Sequence, residues 1–188
     1  SAARNSGLDA ATGDFVCFSD GDDYIMPNYV EHLLKLCLTY HADVAYTVDM
    51  YTTFHNEHIA NNQVKVITPE DATENILCYK VPIGVYSKLF NREFLVKNNI
   101  RFLEDVYIGE GFNFNTACFQ RANKVVMSNE RIYFYRRDNE ASAMTKFKAA
   151  KCQMALKAID IIKENLVLKS ARIENAWTFA YWHTHFDM

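Results

Sequence analysis

Apolar and polar positions fall in blocks along the chain, and the period of each block predicts an element. Residues 1–12 carry a helical pattern closed by Gly13. Residues 14–19 form a short apolar run, the mark of a strand covered on both faces. Pro27 suits the first turn of a helix, and Val30, Leu33, Leu34, Cys37 and Leu38 follow at helical spacing. Residues 43–52 (DVAYTVDMYT), rich in Val, Tyr and Thr, predict a strand, and the polar residues 55–62 a loop. A short strand is expected over 64–67. Thr68-Pro69-Glu70-Asp71 then opens a helix, with Thr68 as cap and Pro69 at its first position. Residues 84–90 read as extended, 92–98 as a short helix and 111–122 as a longer one. KVVM (124–127) and RIYFYRR (131–137) predict two strands joined by a Ser-Asn turn. Cys152, Leu156, Ile159, Ile162 and Leu166 mark a helix from about residue 146 to 165, beyond a polar stretch at 138–145. Strands interleave with helices, so the class is α/β.

Composition narrows this picture without redrawing it. A chain of 188 residues can hold one domain with a real core, or a domain plus an appendage. Apolar residues make up 49% and charged ones 23%, an ordinary globular balance. The net charge of −3 argues against nucleic acid as a partner, because that role asks for a basic surface. No apolar run approaches the roughly 18 to 20 residues of a membrane span. Cys17, Cys37, Cys78, Cys118 and Cys152 are odd in number and widely spaced, which predicts reduced thiols in a cytosolic setting. His55 with His58, and His183 with His185, have no Cys companion and predict no zinc site. Both ends read as interrupted. Residues 1–5 look like the inside of a helix, and WTFAYWHTHFDM is aromatic with no stop signal, so exposed apolar surface is expected at each end.

The candidate chemistry sits in DFVCFSDGDDYIMPN (14–28), where an apolar run drives into Asp20, Asp22 and Asp23. Four readings compete. A solvated turn needs only the turn preference of Asp and Gly. A calcium loop fails, because Tyr24 and Ile25 fall where an oxygen ligand and a Gly are required, and Pro27 interrupts it. An aspartyl nucleophile of the phosphatase kind needs further acidic and Lys elements that the sequence does not clearly offer. A metal site for a nucleotide diphosphate fits better. Ligands of open α/β sheets bind beyond the carboxyl ends of the strands. There Gly21 would let the chain bend, and a hard cation would relieve the carboxylates' repulsion.

The flanking residues favour that last reading. ARNSGLDAATGDFVCFSDGDDYIMPNYVEHL (3–33) resembles the central signature of family 2 glycosyltransferases with the GT-A fold. In that signature an Ala-Arg-Asn-x-Gly-Leu helix and an Ala-x-Gly turn lead into an apolar strand. An Asp-x-Asp-Asp turn, a Pro and a second helix follow. YSKLFNREFL (86–95) resembles the family's segment before the acceptor site. GEGFNFNTACFQRANKVVMSNERIYFYRRDNEASAM (109–144) resembles the stretch from the catalytic carboxylate to the tyrosine-arginine strand. The resemblance covers roughly residues 2–145. It implies a partial GT-A fold, a mixed sheet flanked by helices, with residues 146–188 as a helical C-terminal appendage.

By this resemblance, the reaction moves a sugar from a nucleotide-diphosphate donor to the hydroxyl of a polysaccharide or lipid-linked glycan, with inversion. Asp20 would touch the donor's ribose, Asp22 (with Asp20) would hold Mg²⁺ or Mn²⁺, and Asp23 would support the turn. Arg4 and Asn5 would lie near the nucleotide. One of Arg136 and Arg137 would neutralise the diphosphate. Phe112, Phe114 and Phe119 are expected in the core rather than stacked on sugar. Tyr133 and Phe134 alternate on a strand, so that one faces inward. A cytoplasmic location is expected, with possible peripheral attachment to the inner face of the membrane. Two departures stand out. Family members carry Glu-Asp, the Asp being the base, where this chain has Glu110-Gly111. The expected catalytic base is therefore Glu110, although a carboxylate there also suits a helix N-terminus. The family's opening strands and base-gripping acidic residue do not precede Ser1, and the 188 residues alone are expected to bind nucleotide poorly. A different class stays open, a catalytically impaired sugar-nucleotide-binding or assembly module of the same fold.

Overall fold

The computed structural model describes residues 1–58, 62–136 and 149–187. Helix α1 (Ala2–Ala10) precedes strand β1 (Phe15–Cys17), the short strand β2 (Tyr24–Ile25) and helix α2 (Tyr29–Tyr40). Strands β3 (Val44–Thr47), β4 (Tyr51–Thr52) and β5 (Val64–Ile67) lead to α3 (Pro69–Leu77). Next come β6 (Lys88–Asn91), α4 (Arg92–Lys97), α5 (Glu110–Arg121), β7 (Val125–Ser128) and β8 (Tyr133–Tyr135). Two further helices, α6 (Ala149–Glu164) and α7 (Ala171–Asp187), complete the described residues.

The larger sheet is mixed, with strand order β1-β6-β3-β7-β5; only β3 and β7 run parallel. Alternation along its strands sorts two cores. Val44, Tyr46, Phe90 and Val125 face one way, toward Ile76 and Leu77 of α3, Phe114 and Phe119 of α5, Ile159 of α6 and Ile173 of α7. Ala45, Leu89 and Val126 face the other way, toward Leu33, Leu36 and Cys37 of α2. Phe112, Phe114 and Phe119 lie in the first core, as the pattern predicts. Thr68 caps α3 in a full capping box with Asp71, and Pro69 opens the helix.

Several expectations change. The strand at 14–19 is shorter and only half-buried, because β1 is an edge strand paired with β6 alone. Helix α1 ends at Ala10 with extended backbone at Ala11, so Gly13 closes nothing. The single strand expected over 43–52 is two, and they serve different sheets. A smaller sheet of order β2-β8-β4 takes β4, while β3 stays in the larger one. The two strands after Lys124 likewise do not form a hairpin. After β7 the chain leaves the larger sheet, and β8 becomes the centre of the smaller one, between β2 and β4. Of the two ends, the C-terminal one exposes large apolar side chains, Phe179, Trp182 and Phe186 of α7; away from the ends Tyr24, Phe54 and Tyr107 are exposed as well.

The polar stretch at 138–145 lies outside the described residues. Helices α6 and α7 bury Ile159, Ile162, Ile173, Ala176 and Ala180 in the same core as α3 and α5. Trp177 and Tyr181 pack against that core, and the Trp177 indole donates to the Ile159 carbonyl at 3.0 Å. Among the described residues no helix is long and apolar enough to cross a membrane.

Candidate active site

The carboxylate turn hangs between the two sheets. Strand β1 delivers Phe18 into the core, where its ring meets Phe90, Phe102 and Phe114. The chain then turns, with the Asp23 amide donating to the Asp20 carbonyl at 3.2 Å, and β2 pairs antiparallel with β8. Gly21 was expected to allow the bend. Its φ is not in the left-handed region and its Cβ position is open, so neither backbone strain nor crowding demands glycine there.

The positive partner of this turn belongs to the protein. Arg4, on the first turn of α1, donates to Asp20 Oδ1 at 2.7 Å and to Glu110 Oε1 at 3.0 Å. One guanidinium thus joins residues far apart in sequence, using the fork geometry that suits arginine to two carboxylates. Burial pulls its pKa down, but the hydrogen bonds and charges of Asp20 and Glu110 outweigh that, and the net shift is upward. Its Cζ lies 5.5 Å from the centre of the Phe102 ring. Helix α1 is anchored by the next residue. The Asn5 amide accepts from the Phe102 N–H and donates to the Phe102 carbonyl, both at 2.9 Å, and also reaches Glu104. Asn5 is therefore a buried clamp on the 102–104 loop.

Asp23 is held by other means. Its carboxylate accepts from the Tyr133 hydroxyl at 2.7 Å and from the Arg136 backbone N–H at 2.9 Å. The same hydroxyl accepts from the Asp20 N–H at 3.1 Å, so Tyr133 ties both ends of the turn. Burial raises the Asp23 pKa, the two hydrogen bonds oppose it, and the charges of Asp22 and Asp20 add to the rise. Burial also pushes the Tyr133 phenol well up, which keeps it a donor. Tyr133 is fully buried on β8, while Phe134, on the opposite face, meets Tyr24 edge to face at 5.9 Å. No sequence pattern assigns a role to the Tyr133 hydroxyl. The alternation of YFY signalled an inward ring, but only tertiary packing aims its oxygen.

Glu110 opens α5, directly after Gly109, whose φ is 82° and whose Cβ position lies 2.8 Å from the Ala158 side chain. Gly111 follows, where the family expectation is Asp. A Cβ there would stand 3.2 Å from the Ile83 carbonyl oxygen and 3.4 Å from Gly84 Cα. The Ile83–Gly84 backbone occupies the room that a side chain at 111 would need.

Asp22 is the exposed member of the trio, at the outer side of the turn. Among the described residues no three His, Cys, Asp or Glu side chains gather as a metal cage. The oxygen donors that could serve a cation are Asp22 and, where Arg4 yields it, Asp20. This donor set fits Mg²⁺ or Mn²⁺ completed by substrate phosphates, not a cation bound by protein alone. Arg136 contributes a backbone N–H to Asp23, and Arg137 lies outside the described residues.

Comparison with known proteins decides the family. Residues 1–99 match the profile described as glycosyl transferase family 2. The chain belongs to that family. The matched span holds Arg4 and the carboxylate turn; Glu110 and Tyr133 lie beyond it. Among curated relatives, the uncharacterised glycosyltransferase EpsJ of Bacillus subtilis is 28% identical over 80% of this chain and 45% of its own length. The glycosyltransferase GlyA of Streptococcus pneumoniae is 32% identical over 72% of this chain and 21% of its own. The chain thus spans less than half the length of either relative. Residues 1–349 of TarS from S. aureus, solved in complex with UDP-GlcNAc, superpose with a TM-score of 0.73. That likeness is 20% identical and covers 98% of this chain and 52% of the other. It establishes the partial GT-A fold, a mixed sheet flanked by helices.

Proposed function

We propose that this family 2 chain is the catalytic part of a glycosyltransferase, moving a sugar from a nucleotide-diphosphate donor to the hydroxyl of a polysaccharide or lipid-linked glycan. The observation that carries the reading is Arg4 holding Asp20 and Glu110 on one guanidinium. A donor-side carboxylate and a candidate base then flank one cation, as a displacement beside a diphosphate would use them. TarS, of the same fold, was solved with UDP-GlcNAc, which supports a sugar nucleotide as the donor class.

In this reading the acceptor oxygen attacks the anomeric carbon as the bond from that carbon to the diphosphate oxygen breaks. Glu110 takes the acceptor's proton, and nucleoside diphosphate leaves with the bonding pair. A single displacement inverts the anomeric centre. Asp20 faces the ribose, Asp23 stiffens the turn through Tyr133, and Arg136 or Arg137 meets the diphosphate charge. A divalent cation bound at Asp22, with Asp20, would stabilise negative charge on the departing diphosphate. Arg4 keeps Asp20 and Glu110 together and adds positive charge beside the leaving group. The setting proposed is the cytoplasm, at the inner face of the membrane, a reducing compartment that suits the odd number and wide spacing of the five cysteines in the sequence.

A second reading, a sugar-nucleotide-binding module without transfer, is favoured by one observation. Gly111 stands where the family base is expected, and neighbouring backbone fills its space. Donor hydrolysis with Mn²⁺ in the natural protein that carries this chain separates the two. A transferase releases nucleoside diphosphate slowly without acceptor, and Asp22→Asn abolishes the release. Glu110→Gln should cut transfer by a factor of about 100 or more. Full turnover in Glu110→Gln alongside loss in Asp22→Asn would remove Glu110 as base. No release from the unaltered protein would favour the binding module.

A further inference from the structure

We propose that Lys88 is a positioning residue of the carboxylate site: its ammonium sets the loop of residues 82–87, and Tyr86 of that loop seats the Tyr133 ring that carries Asp20 and Asp23. The inference rests on reading the turn as the donor site, but its chain of contacts stands on the geometry alone.

Lys88 is fully buried at the first position of β6, opposite Tyr46 of β3. Among the described residues it forms no ion pair, an arrangement that is costly unless other groups meet the charge. Three backbone carbonyls meet it: Pro82 at 2.8 Å, Gly84 at 2.7 Å and Tyr86 at 3.4 Å. Asn115 of α5 takes the Ile83 carbonyl at 2.8 Å and shares that of Gly84 at 2.9 Å. Four carbonyls of this loop are thus turned inward and satisfied by two side chains. Ser87, between loop and strand, is buried with φ at 56°, a conformation that persists only where neighbours enforce it.

The product of this arrangement is the place of one ring. Gly84 leaves room for Tyr86 to fold back, since a Cβ on Gly84 would fall 2.2 Å from that ring. Tyr86 stacks on Tyr133 with centroids 5.1 Å apart and planes 15° apart, and on Tyr135 at 5.5 Å and 26°. The Lys88 Nζ lies 5.9 Å from the Tyr86 ring centre. Tyr133 then presents its hydroxyl to the Asp23 carboxylate and the Asp20 amide. A path of packed groups therefore runs from the ammonium to both ends of the turn. A leucine or methionine at 88 would fill the same core without holding the loop.

The test uses Lys88→Met, Tyr86→Leu and the double variant in the natural protein, with two readouts. Aspartate is labelled with ¹⁵N, and the Asp20 amide, which donates to Tyr133, is followed by NMR. The expected result is a displaced Asp20 amide resonance in each single variant. Donor hydrolysis should also fall at least tenfold in kcat/KM, with the double variant no worse than the weaker single. An unmoved Asp20 resonance in folded Lys88→Met or Tyr86→Leu overturns the inference, whether or not the protein transfers sugar. So do multiplicative losses in the double variant, which would make the two residues independent. If Lys88→Met does not fold, Tyr86→Leu alone decides through the Asp20 resonance. A protein with a displaced resonance but no hydrolysis in its unaltered form would refute the transferase reading and leave the positioning role standing.

Discussion

Replacing Gly111 with Ala sets two effects of opposite sign against each other. Gly111 lies in the first turn of α5, where Ala is favoured over Gly by at most the helix-interior value of about 1 kcal/mol. The new Cβ would meet the Ile83 carbonyl oxygen at 3.2 Å, Gly84 Cα at 3.4 Å and the Val85 nitrogen at 3.5 Å. All three are backbone atoms of a loop held by Lys88 and Asn115 through hydrogen bonds of 2.7–2.9 Å. A retreat of a few tenths of an ångström would stretch several of these bonds at once. Overpacking of this kind costs about 1 to 3 kcal/mol, so the contact wins and the variant loses about 1 kcal/mol. Thermal unfolding reads this as a fall of about 2 to 4 °C for a domain of this size. Gly111→Asp, which restores the family residue, adds a carboxylate beside the Ile83 carbonyl. It should lose about 2 to 3 kcal/mol and gain no transfer activity. A higher melting temperature in Gly111→Ala would show that the loop yields freely. A faster Gly111→Asp enzyme would show that the space is open in the working protein; either result refutes the reasoning.

Two other expectations follow from the same region. Tyr133→Phe keeps the stacked ring but removes the hydroxyl shared by Asp20 and Asp23. Stability should fall by about 1.5 kcal/mol in urea titration, and an unchanged midpoint would mean that water replaces the hydroxyl. Burial pulls the Lys88 pKa down from 10.5 to about 7, with the buried Cys118 thiol of α5 as its titratable neighbour. The folded protein therefore sheds this proton near pH 7 and the unfolded chain near 10.5. The cost of burying the charge is fully present below pH 7 and is relieved as pH rises toward 10.5. Compared with Lys88→Met, the protein should gain about 1.4 kcal/mol per pH unit across that window. Parallel urea midpoints for the two proteins at pH 7 and pH 9 would contradict it.

The local elements were legible because their causes are local. Thr68-Pro69-Glu70-Asp71 caps a helix wherever it stands, and the spacing of Val30, Leu33, Leu34, Cys37 and Leu38 finds helix α2, although its buried face runs through Leu33, Leu36 and Cys37 while Val30 and Leu38 stay exposed. The motif from Arg4 to Asp23 could likewise be read as a family 2 signature, since its spacing lies within one stretch of chain. The turn's charge balance could not. The sequence places three like charges together and says nothing of Arg4 bridging Asp20 and Glu110, because the meeting of α1, β1 and α5 is a property of the packed sheet. Strand partnership was hidden for the same reason: a four-residue strand carries its two faces in its alternation, but not the sheet it joins. Thus β3 and β4, and β7 and β8, part company.

By itself, then, the chain determined the cap of α3, its α/β class and a stretch of spacing that reads as a family 2 signature. Tertiary structure alone decided that an arginine meets Asp20, that Asn5 clamps a loop and that Gly111 is crowded by backbone. It also decided that a buried lysine stands behind Tyr133. The reason is one of range: propensity and period act over a few residues, whereas charge balance and crowding depend on groups that only the finished fold brings within a few ångströms.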